Sequence, residues 1–363
     1  MTLFDPSPKH LNGARDPNMT LYEYRNRSDR SEYATLRTRA EEWASRFPID
    51  DEFLGRFKGK DDRQHRGAFF ELFMHEFLLK LEYEVKRGEP LEDGKKTAVD
   101  FCAYRKGTPL FYVECTLAGD SMTDPSVEQI KAQIEKAINE VKSPDYWLEV
   151  DYIETSTQEP KKRMIKRAVR VLLDGGYEKR FGLVQDNGWN IRLTLRERSP
   201  ESKKRLNPIT VYAISGGMKI NEDPYPKLWK ALSAKKPSKY GSFDLPYIIA
   251  INSSEITLSD HDIVRILFGL NPGHTAVYPK KTGFFHNGRP INTNASGMML
   301  FSNLYYFHMN PHRSEIWENP WAKNPIGEDW DLWMDRVRLE DFGEQFRVDR
   351  RVGKRVRELM IGE

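Results

Sequence analysis

The sequence predicts an α/β fold in which a mixed central sheet is flanked by helices. Residues 67–81 form a helical pattern that is apolar on almost every side, which is typical of a buried helix. Two β-rich segments, 97–105 and 109–116, follow this helix and are separated by a turn. An amphipathic helix at 125–141 and an apolar strand at 246–252 come later in the chain. Helices that alternate with strands in this way indicate the α/β class.

Length and composition exclude several classes of protein. The chain has 363 residues, enough for about two domains or one elaborated domain. Hydrophobic residues make up 39%, which excludes a disordered chain. Lys and Arg number 57 against 54 Asp and Glu, so any basic surface must arise from local clustering. The two cysteines, Cys102 and Cys115, are too few for a disulfide framework or a CxxC-type zinc site.

The sequence contains no pattern typical of export or membrane insertion. Its first residues lack the basic segment followed by an apolar segment that marks a secretory signal. No run approaches the roughly 18 apolar residues that a membrane-spanning helix needs. We therefore predict a soluble, cytoplasmic protein with no membrane partner. The oligomeric state is left open, with a homodimer as one option.

Changes in pattern divide the chain into five predicted regions. They are a helical basic arm at 1–60, the first part of the core at 61–144, an α+β insertion at 145–225, the completion of the core at 226–300 and an aromatic-rich extension at 301–363. Strands of the insertion are predicted at 147–153, 189–197 and 209–215, with a basic amphipathic helix near 161–173. A second basic amphipathic helix is predicted at 346–359.

The predicted hairpin brings two carboxylates together. If it is symmetric about Gly107, Asp100 and Glu114 lie directly opposite each other, with Cβ atoms roughly 5 Å apart. Both acids have apolar neighbours in sequence, and ionised groups in such surroundings need a partner or a metal ion. Oxygen ligands suit Mg²⁺ or Mn²⁺. The alternative is a shifted register that turns one of the acids to solvent.

A third carboxylate precedes the hairpin on the apolar helix. Glu71 aligns with Met74, His75 and Leu78 at helical spacing, so it projects from a largely apolar surface. A carboxylate in this position is either exposed by an oblique helix or directed at a site. Its place just upstream of an acid-bearing hairpin favours a third ligand for a metal ion or for a metal-bound water.

These segments together resemble a known family. The run GAFFELFMHEFLLKLEYEV, then VDF and then FYVECT, is similar to the PD-(D/E)XK nuclease superfamily, which has the restriction-endonuclease-like fold. The resemblance covers roughly residues 60–140, and PYIIAIN at 246–252 would be a later core strand. It implies a restriction-endonuclease-like core in which Glu71, Asp100 and Glu114 are the acidic site residues.

The chain departs from the motif of that superfamily at two positions. The proline that usually precedes the Asp is Val99, and the motif lysine is Thr116, which cannot carry a positive charge. Superfamily members in which the lysine comes from a neighbouring helix are known, so the resemblance permits a substitute from elsewhere in the chain. Lys235 and Lys236 lie three and four residues beyond Leu232 on the apolar edge of a predicted helix. Lys236 is favoured as the substitute, with Lys131 second, and each could instead be an ordinary surface lysine.

The resemblance implies a Mg²⁺- or Mn²⁺-dependent nuclease that hydrolyses phosphodiester bonds of DNA, with restriction or defence as a suggested setting. Asp100, Glu114 and Glu71 would hold the metal, and Lys236 would assist catalysis. Basic segments at 25–39, 161–170 and 347–357 would contact phosphates. Because the motif lysine is absent, the alternative is a catalytically silent member that binds nucleic acid or scaffolds a complex. A third option is an unrelated α/β enzyme with incidental acids.

Overall fold

The structure is a computed structural model that describes most of the chain. The described residues are 2–7, 9, 11, 19–29, 31–88, 98–119, 125–176, 180–198, 211–215, 225–241, 243–253, 258–269, 283–302, 304, 311, 313–328, 330, 332–341 and 346–361. Within these ranges, no helix has the length and apolar character needed to cross a bilayer.

Helices and strands alternate along the described chain. The helices are α1 Leu21–Arg27, α2 Ser31–Ala44, α3 Asp51–Lys58, α4 Asp62–Lys80, α5 Pro125–Asn139, α6 Lys162–Asp174, α7 Tyr225–Ala234, α8 Asp260–Phe268 and α9 Val356–Ile361. The strands are β1 Glu84–Arg87, β2 Phe101–Arg105, β3 Thr108–Ala118, β4 Tyr146–Glu154, β5 Phe181–Asp186, β6 Trp189–Glu197, β7 Val211–Ser215, β8 Tyr247–Ser253, β9 Gly297–Ser302, β10 Arg313–Glu318, β11 Asp335–Asp341 and β12 Phe346–Arg351.

The larger of two compact units contains an eight-stranded mixed sheet. This unit comprises residues 1–10, 21–120 and 223–363. Its strand order is β1-β2-β3-β8-β9-β10-β11-β12, with parallel pairs at β3–β8, β8–β9 and β10–β11 and antiparallel pairs elsewhere. One face packs against α2, α3 and α4, and the opposite face packs against α7 and α8. The α/β class and the mixed sheet flanked by helices are thus confirmed.

Helix α4 is the apolar helix that the sequence predicts at 67–81, extended at its amino-terminal end. Asp61 caps it, because its carboxylate accepts hydrogen bonds from the backbone N–H groups of Arg63 and Gln64. From Ala68 to Leu78 every residue is buried against the sheet and the neighbouring helices. This burial places Glu71, a charged residue, inside the apolar layer.

The β2–β3 hairpin has the predicted register near Asp100, although it is not symmetric about Gly107. Lys106 and Gly107 both have positive φ, so the hairpin closes on a tight two-residue turn. Next to this turn Arg105 pairs with Thr108, and an irregularity between Ala103 and Tyr104 shifts the register by one residue. Beyond the irregularity Phe101 pairs with Val113. The next pair in that register is Asp100 with Glu114, as predicted.

The smaller unit is an α+β structure formed by residues 121–222 together with 11–20. Its four-stranded sheet has the order β5-β6-β4-β7 and packs one face against α5 and α6. The strands predicted at 147–153, 189–197 and 209–215 are present, and β5 is an additional one. The predicted boundary at residue 145 comes too late, because α5 buries Ile130, Ile134 and Ile138 in this unit.

The C-terminal basic segment is not the helix predicted at 346–359. Residues 346–351 form β12, which pairs antiparallel with β11, and only 356–361 are helical. The alternation of Arg and apolar residues fits both periods over so short a stretch, and sheet pairing decides between them. The basic side chains therefore do not share one helical face.

Candidate active site beside strands β2 and β3

Asp100 and Glu114 meet beside the second and third strands of the large sheet. Glu114 lies within β3 and is only 1% exposed, whereas 26% of the Asp100 side chain is exposed. Asp100 immediately precedes β2, and its Oδ2 accepts a hydrogen bond of 2.7 Å from the backbone N–H of Cys115. The bond holds the Asp100 carboxylate against β3 next to Glu114. The predicted pairing of the two acids is therefore present.

A lysine 121 residues after Glu114 in the sequence contacts both carboxylates. Lys235 directly follows α7, and its Nζ donates a short hydrogen bond to Glu114 Oε2. The same Nζ lies 3.6 Å from Asp100 Oδ2. Its backbone is fixed as well, since the Tyr247 hydroxyl donates to the Lys235 carbonyl over 2.9 Å. Asp100, Glu114 and Lys235 are hereafter called the acid–lysine cluster.

The lysine at the site is thus Lys235 and not the predicted Lys236. Helical spacing fails at this point because α7 ends at Ala234, and Lys236 has the extended backbone angles φ −57° and ψ 134°. The Lys236 ammonium instead lies 5.8 Å from the centre of the Trp229 ring. Lys131, the second candidate, lies 5.4 Å from the centre of the Tyr152 ring within the smaller unit.

Burial and mutual repulsion shift the protonation of the cluster. Burial, together with the charge of Asp100, raises the pKa of Glu114 to about 8, and the Lys235 ammonium opposes this only in part. Burial by itself would lower the Lys235 pKa, but the two carboxylates outweigh it and raise that pKa. Lys235 therefore stays protonated at neutral pH. With both acids ionised the cluster carries one uncompensated negative charge, which favours a cation.

Glu71 is held apart from this cluster by an arginine. Arg56 of α3 donates two hydrogen bonds to the Glu71 carboxylate, of 2.5 and 2.7 Å. Burial raises the pKa of Glu71, Arg56 opposes that shift, and repulsion from Asp100 adds to it. A forked guanidinium engages both carboxylate oxygens. The expected role of Glu71 as a third ligand therefore requires that Arg56 move away.

The donor set fits a magnesium ion held by two carboxylates. Mg²⁺ commonly uses one or two protein carboxylates and takes its other ligands from water and substrate phosphates. Asp100 and Glu114 meet that requirement, and a divalent cation would favour the ionised form of Glu114, whose raised pKa otherwise favours protonation. Across the described ranges, no group of three or more His, Cys, Asp or Glu side chains is arranged to hold a metal. A three-acid metal site including Glu71 is therefore not assembled in this arrangement.

A cavity of about 200 Å³ lies on the α4 side of β3 and is lined in part by Cys115 and Thr116, the two residues that follow Glu114. Its lining includes Arg56, Arg63, Gln64, Gly67, Glu71 and Cys115. Cys115 connects the cavity to the acids, because its backbone N–H is the group that binds Asp100. The thiol itself is buried, and burial raises its pKa well above the usual value, so it is a poor nucleophile.

In two of the three predicted basic segments some arginines make internal contacts, whereas others, such as Arg27, Arg351 and Arg355, are exposed. In the N-terminal segment, Arg25 is buried against the His65 ring and Arg37 donates to the carbonyls of Arg25 and Ser28. In the C-terminal segment, Arg350 binds the carboxylates of Asp260, Glu315 and Asp335. Arginines with these contacts support the fold and are not available as a phosphate-binding row.

The remaining basic segment presents exposed arginines on α6. Arg163, Arg167 and Arg170 are exposed and recur at helical spacing, which places them on one side of the helix. Lys162 and Lys166 of the same helix pair with Glu140. The arginine row is thus the clearest candidate for phosphate contact in the smaller unit.

Neither Lys235 nor Arg56 was assigned to the site from the sequence. The Ser-Ala-Lys-Lys-Pro run at 233–237 contains one signal for Lys235, a proline that ends the helix. Arg56 lies in a short polar helix with no sequence feature that links it to Glu71. Searches of family models, curated proteins and solved structures find no match to this chain.

Proposed function

We propose that this protein is a Mg²⁺-dependent nuclease that hydrolyses phosphodiester bonds of nucleic acid, with DNA the favoured substrate. The observation that carries the proposal is the convergence of Asp100 and Glu114, from the β2–β3 hairpin, with Lys235, from the end of α7. Two carboxylates and one ammonium are the groups that the PD-(D/E)XK resemblance calls for. Lys235 supplies the charge that Thr116 lacks, and this supports membership of a catalytically active branch of that fold.

Asp100 and Glu114 would hold the metal. When bound there, Mg²⁺ lowers the pKa of a coordinated water and offsets charge on the scissile phosphate. The Cys115 N–H keeps Asp100 turned toward Glu114, so the two carboxylates are already oriented before any ligand arrives. This preorganisation spares the reorganisation that a flexible pair of acids would need.

Lys235 acts as a charged hydrogen-bond donor and not as a proton acceptor. Its raised pKa keeps the ammonium protonated through the neutral range, so it cannot take a proton from water. An ammonium in contact with both acids can orient the attacking water and stabilise negative charge that develops on the phosphate. As the water oxygen bonds to phosphorus it gives up a proton to solvent, the ester P–O bond breaks and the leaving oxygen takes a proton from solvent.

The arginine row on α6 supports a polyanionic substrate. Arg163, Arg167 and Arg170 offer contacts to a phosphate backbone that do not depend on base sequence. Each such contact lowers the salt slope of binding by roughly one unit when it is removed.

Cleavage of plasmid and linear DNA in Mg²⁺ tests the proposal, with adjacent lysines as matched variants. Lys235→Ala is expected to slow cleavage by roughly 10²-fold, the scale of losing one electrostatic stabiliser. Lys236→Ala, which alters the neighbouring residue outside the cluster, is expected to leave the rate unchanged. Thr116→Lys in the Lys235→Ala background is expected to restore part of the rate, since residue 116 lies on the same strand face as Glu114.

Two results would contradict the proposal. Equal rates for Lys235→Ala and Lys236→Ala would remove Lys235 from the chemistry. A wild-type protein that binds DNA or RNA and cuts neither, while Thr116→Lys gains activity, would favour the catalytically silent alternative. Thr116 and the closed Arg56–Glu71 pair are the observations that favour that second function.

A further inference from the structure

The cavity beside β3 has a lining suited to an anion. Arg56 and Arg63 contribute two positive charges, and Glu71 contributes one negative charge, so the lining carries an excess of positive charge. Gln64 adds an amide that can donate hydrogen bonds. Arginine forks match the geometry of phosphate oxygens, which makes a phosphate group the best-suited ligand.

The cavity is built into the first turns of α4. Arg63, Gln64 and Gly67 all come from that part of the 19-residue helix, where the helix dipole is positive. Gly67 leaves the wall open, because a Cβ atom placed there would meet no atom within 4 Å. A glycine inside a helix costs up to about 1 kcal/mol relative to alanine. Packing around residue 67 does not require a glycine.

Arg56 retains unused hydrogen-bonding capacity at this cavity. Its two terminal nitrogens bind Glu71, while its Nε is buried without a hydrogen-bond partner, 3.7 Å from the Glu52 carboxylate. Arg63 is exposed at the mouth. An incoming phosphate can therefore be met by Arg63 and then share the Arg56 guanidinium.

We propose that this cavity is a phosphate-binding subsite that holds a phosphate of the substrate strand next to the one at Asp100 and Glu114. The identity of the ligand as nucleic acid rests on the proposed nuclease function, whereas the anion site rests on the cavity itself. Cys115 joins the two, since it binds Asp100 through its backbone and lines the cavity. Occupation of the subsite would fix the strand so that the scissile phosphate lies at the acid–lysine cluster.

Inorganic phosphate provides a probe that needs no catalysis. Titration with phosphate is expected to raise the unfolding temperature of the wild-type protein, and Arg63→Ala is expected to weaken phosphate affinity by roughly tenfold. Lys60→Ala removes an exposed charge just before α4 and is the matched control with unchanged affinity. Gly67→Leu fills the cavity and is expected to abolish the phosphate effect.

Gly67→Ala separates a binding role from a structural one. Alanine is the better helix former, so this variant is expected to unfold at a higher temperature while it binds phosphate more weakly. If Gly67 served only the fold, the two readouts would not move in opposite directions.

Binding of a single-stranded oligonucleotide in Ca²⁺ connects the subsite to the substrate. Arg63→Ala is expected to raise the Kd roughly tenfold and the KM of cleavage similarly, with kcat changed far less, and Arg63→Lys to restore part of the affinity. Arg63-dependent phosphate binding in a wild-type protein that never cuts would keep the subsite and reject the nuclease. Cleavage with no effect of Arg63→Ala on phosphate affinity or KM would overturn the subsite and keep the nuclease.

Discussion

Two buried glutamates of the same sheet, Glu114 on β3 and Glu318 on β10, have opposite surroundings. Glu318 accepts 2.7 Å and 2.9 Å hydrogen bonds from the Nε atoms of Arg336 and Arg338, one on each carboxylate oxygen. Glu114 shares a single ammonium with a second carboxylate. Glu318 is thus charge-compensated within the fold, and Glu114 is not.

The difference separates a structural carboxylate from one suited to chemistry. A buried carboxylate whose oxygens both meet guanidinium groups has its charge compensated and gains less from a further cation. At β3 repulsion between the acids remains, and a partly exposed Asp100 leaves the cluster open to solvent and to a cation. Glu71 belongs with Glu318, because Arg56 occupies both of its oxygens.

Replacing Glu114 or Glu318 by glutamine tests whether only the first of them is needed for cleavage. Glu114→Gln is expected to reduce Mg²⁺-dependent DNA cleavage by roughly 10³-fold, since it removes one of two metal-binding carboxylates. Glu318→Gln is expected to retain the wild-type rate in protein that remains folded. Rates from single-turnover time courses provide the measurement, and comparable losses in both variants would erase the distinction.

In a stability measurement the order of the two variants is expected to reverse, with Glu318→Gln the more affected. Glu318→Gln leaves the buried Arg336 without its counter-charge and is expected to lower the free energy of unfolding by about 3 kcal/mol. Glu114→Gln removes like-charge repulsion and is expected to leave stability unchanged or higher in metal-free buffer. Urea unfolding with equal m-values decides the comparison. A metal-free Glu114→Gln protein that is the less stable of the two would contradict it.

The pH dependence of stability offers the smallest and most specific test. A carboxyl whose pKa is higher in the folded protein than in the unfolded chain makes stability fall as pH rises between those two values. For Glu114 that interval runs from its ordinary pKa of 4.5 to about 8. Metal-free wild-type protein is expected to lose roughly 1–2 kcal/mol across it, because the titration is shared with Asp100.

Glu114→Gln is the control for that pH series. Its stability is expected to vary less than that of the wild-type protein over the same interval, since the titrating group is gone. Glu318→Gln should keep the wild-type slope from a lower starting value. A wild-type stability that rises steadily from pH 5 to pH 8 relative to Glu114→Gln would show that the Glu114 pKa is not raised.

The parts of the site that could be predicted from the sequence are those set by residues close together in the chain. The apolar run of α4, the β2–β3 hairpin and the facing acids Asp100 and Glu114 follow from periodicity and turn chemistry over short stretches. The register of a hairpin follows from its turn, from alternation and from any irregularity in either strand, all of which are local. The turn consists of Lys106 and Gly107 and is not centred on Gly107 as predicted. The irregularity between Ala103 and Tyr104 shifts the register by one residue and so restores the predicted pairing.

Only the tertiary structure decided the contacts between residues distant in sequence. It placed Lys235 against Asp100 and Glu114, turned Arg56 onto Glu71 and moved α5 into the smaller unit. The helix end at Ala234 settled which of two adjacent lysines reaches the acids, because Lys235 and Lys236 lie beyond it and Lys236 has extended backbone angles. Sequence periodicity carries no information about which surface a helix meets. Charge compensation of a buried glutamate depends on that packing. The sequence alone therefore could not show that Glu71 is paired with an arginine and Glu114 is not.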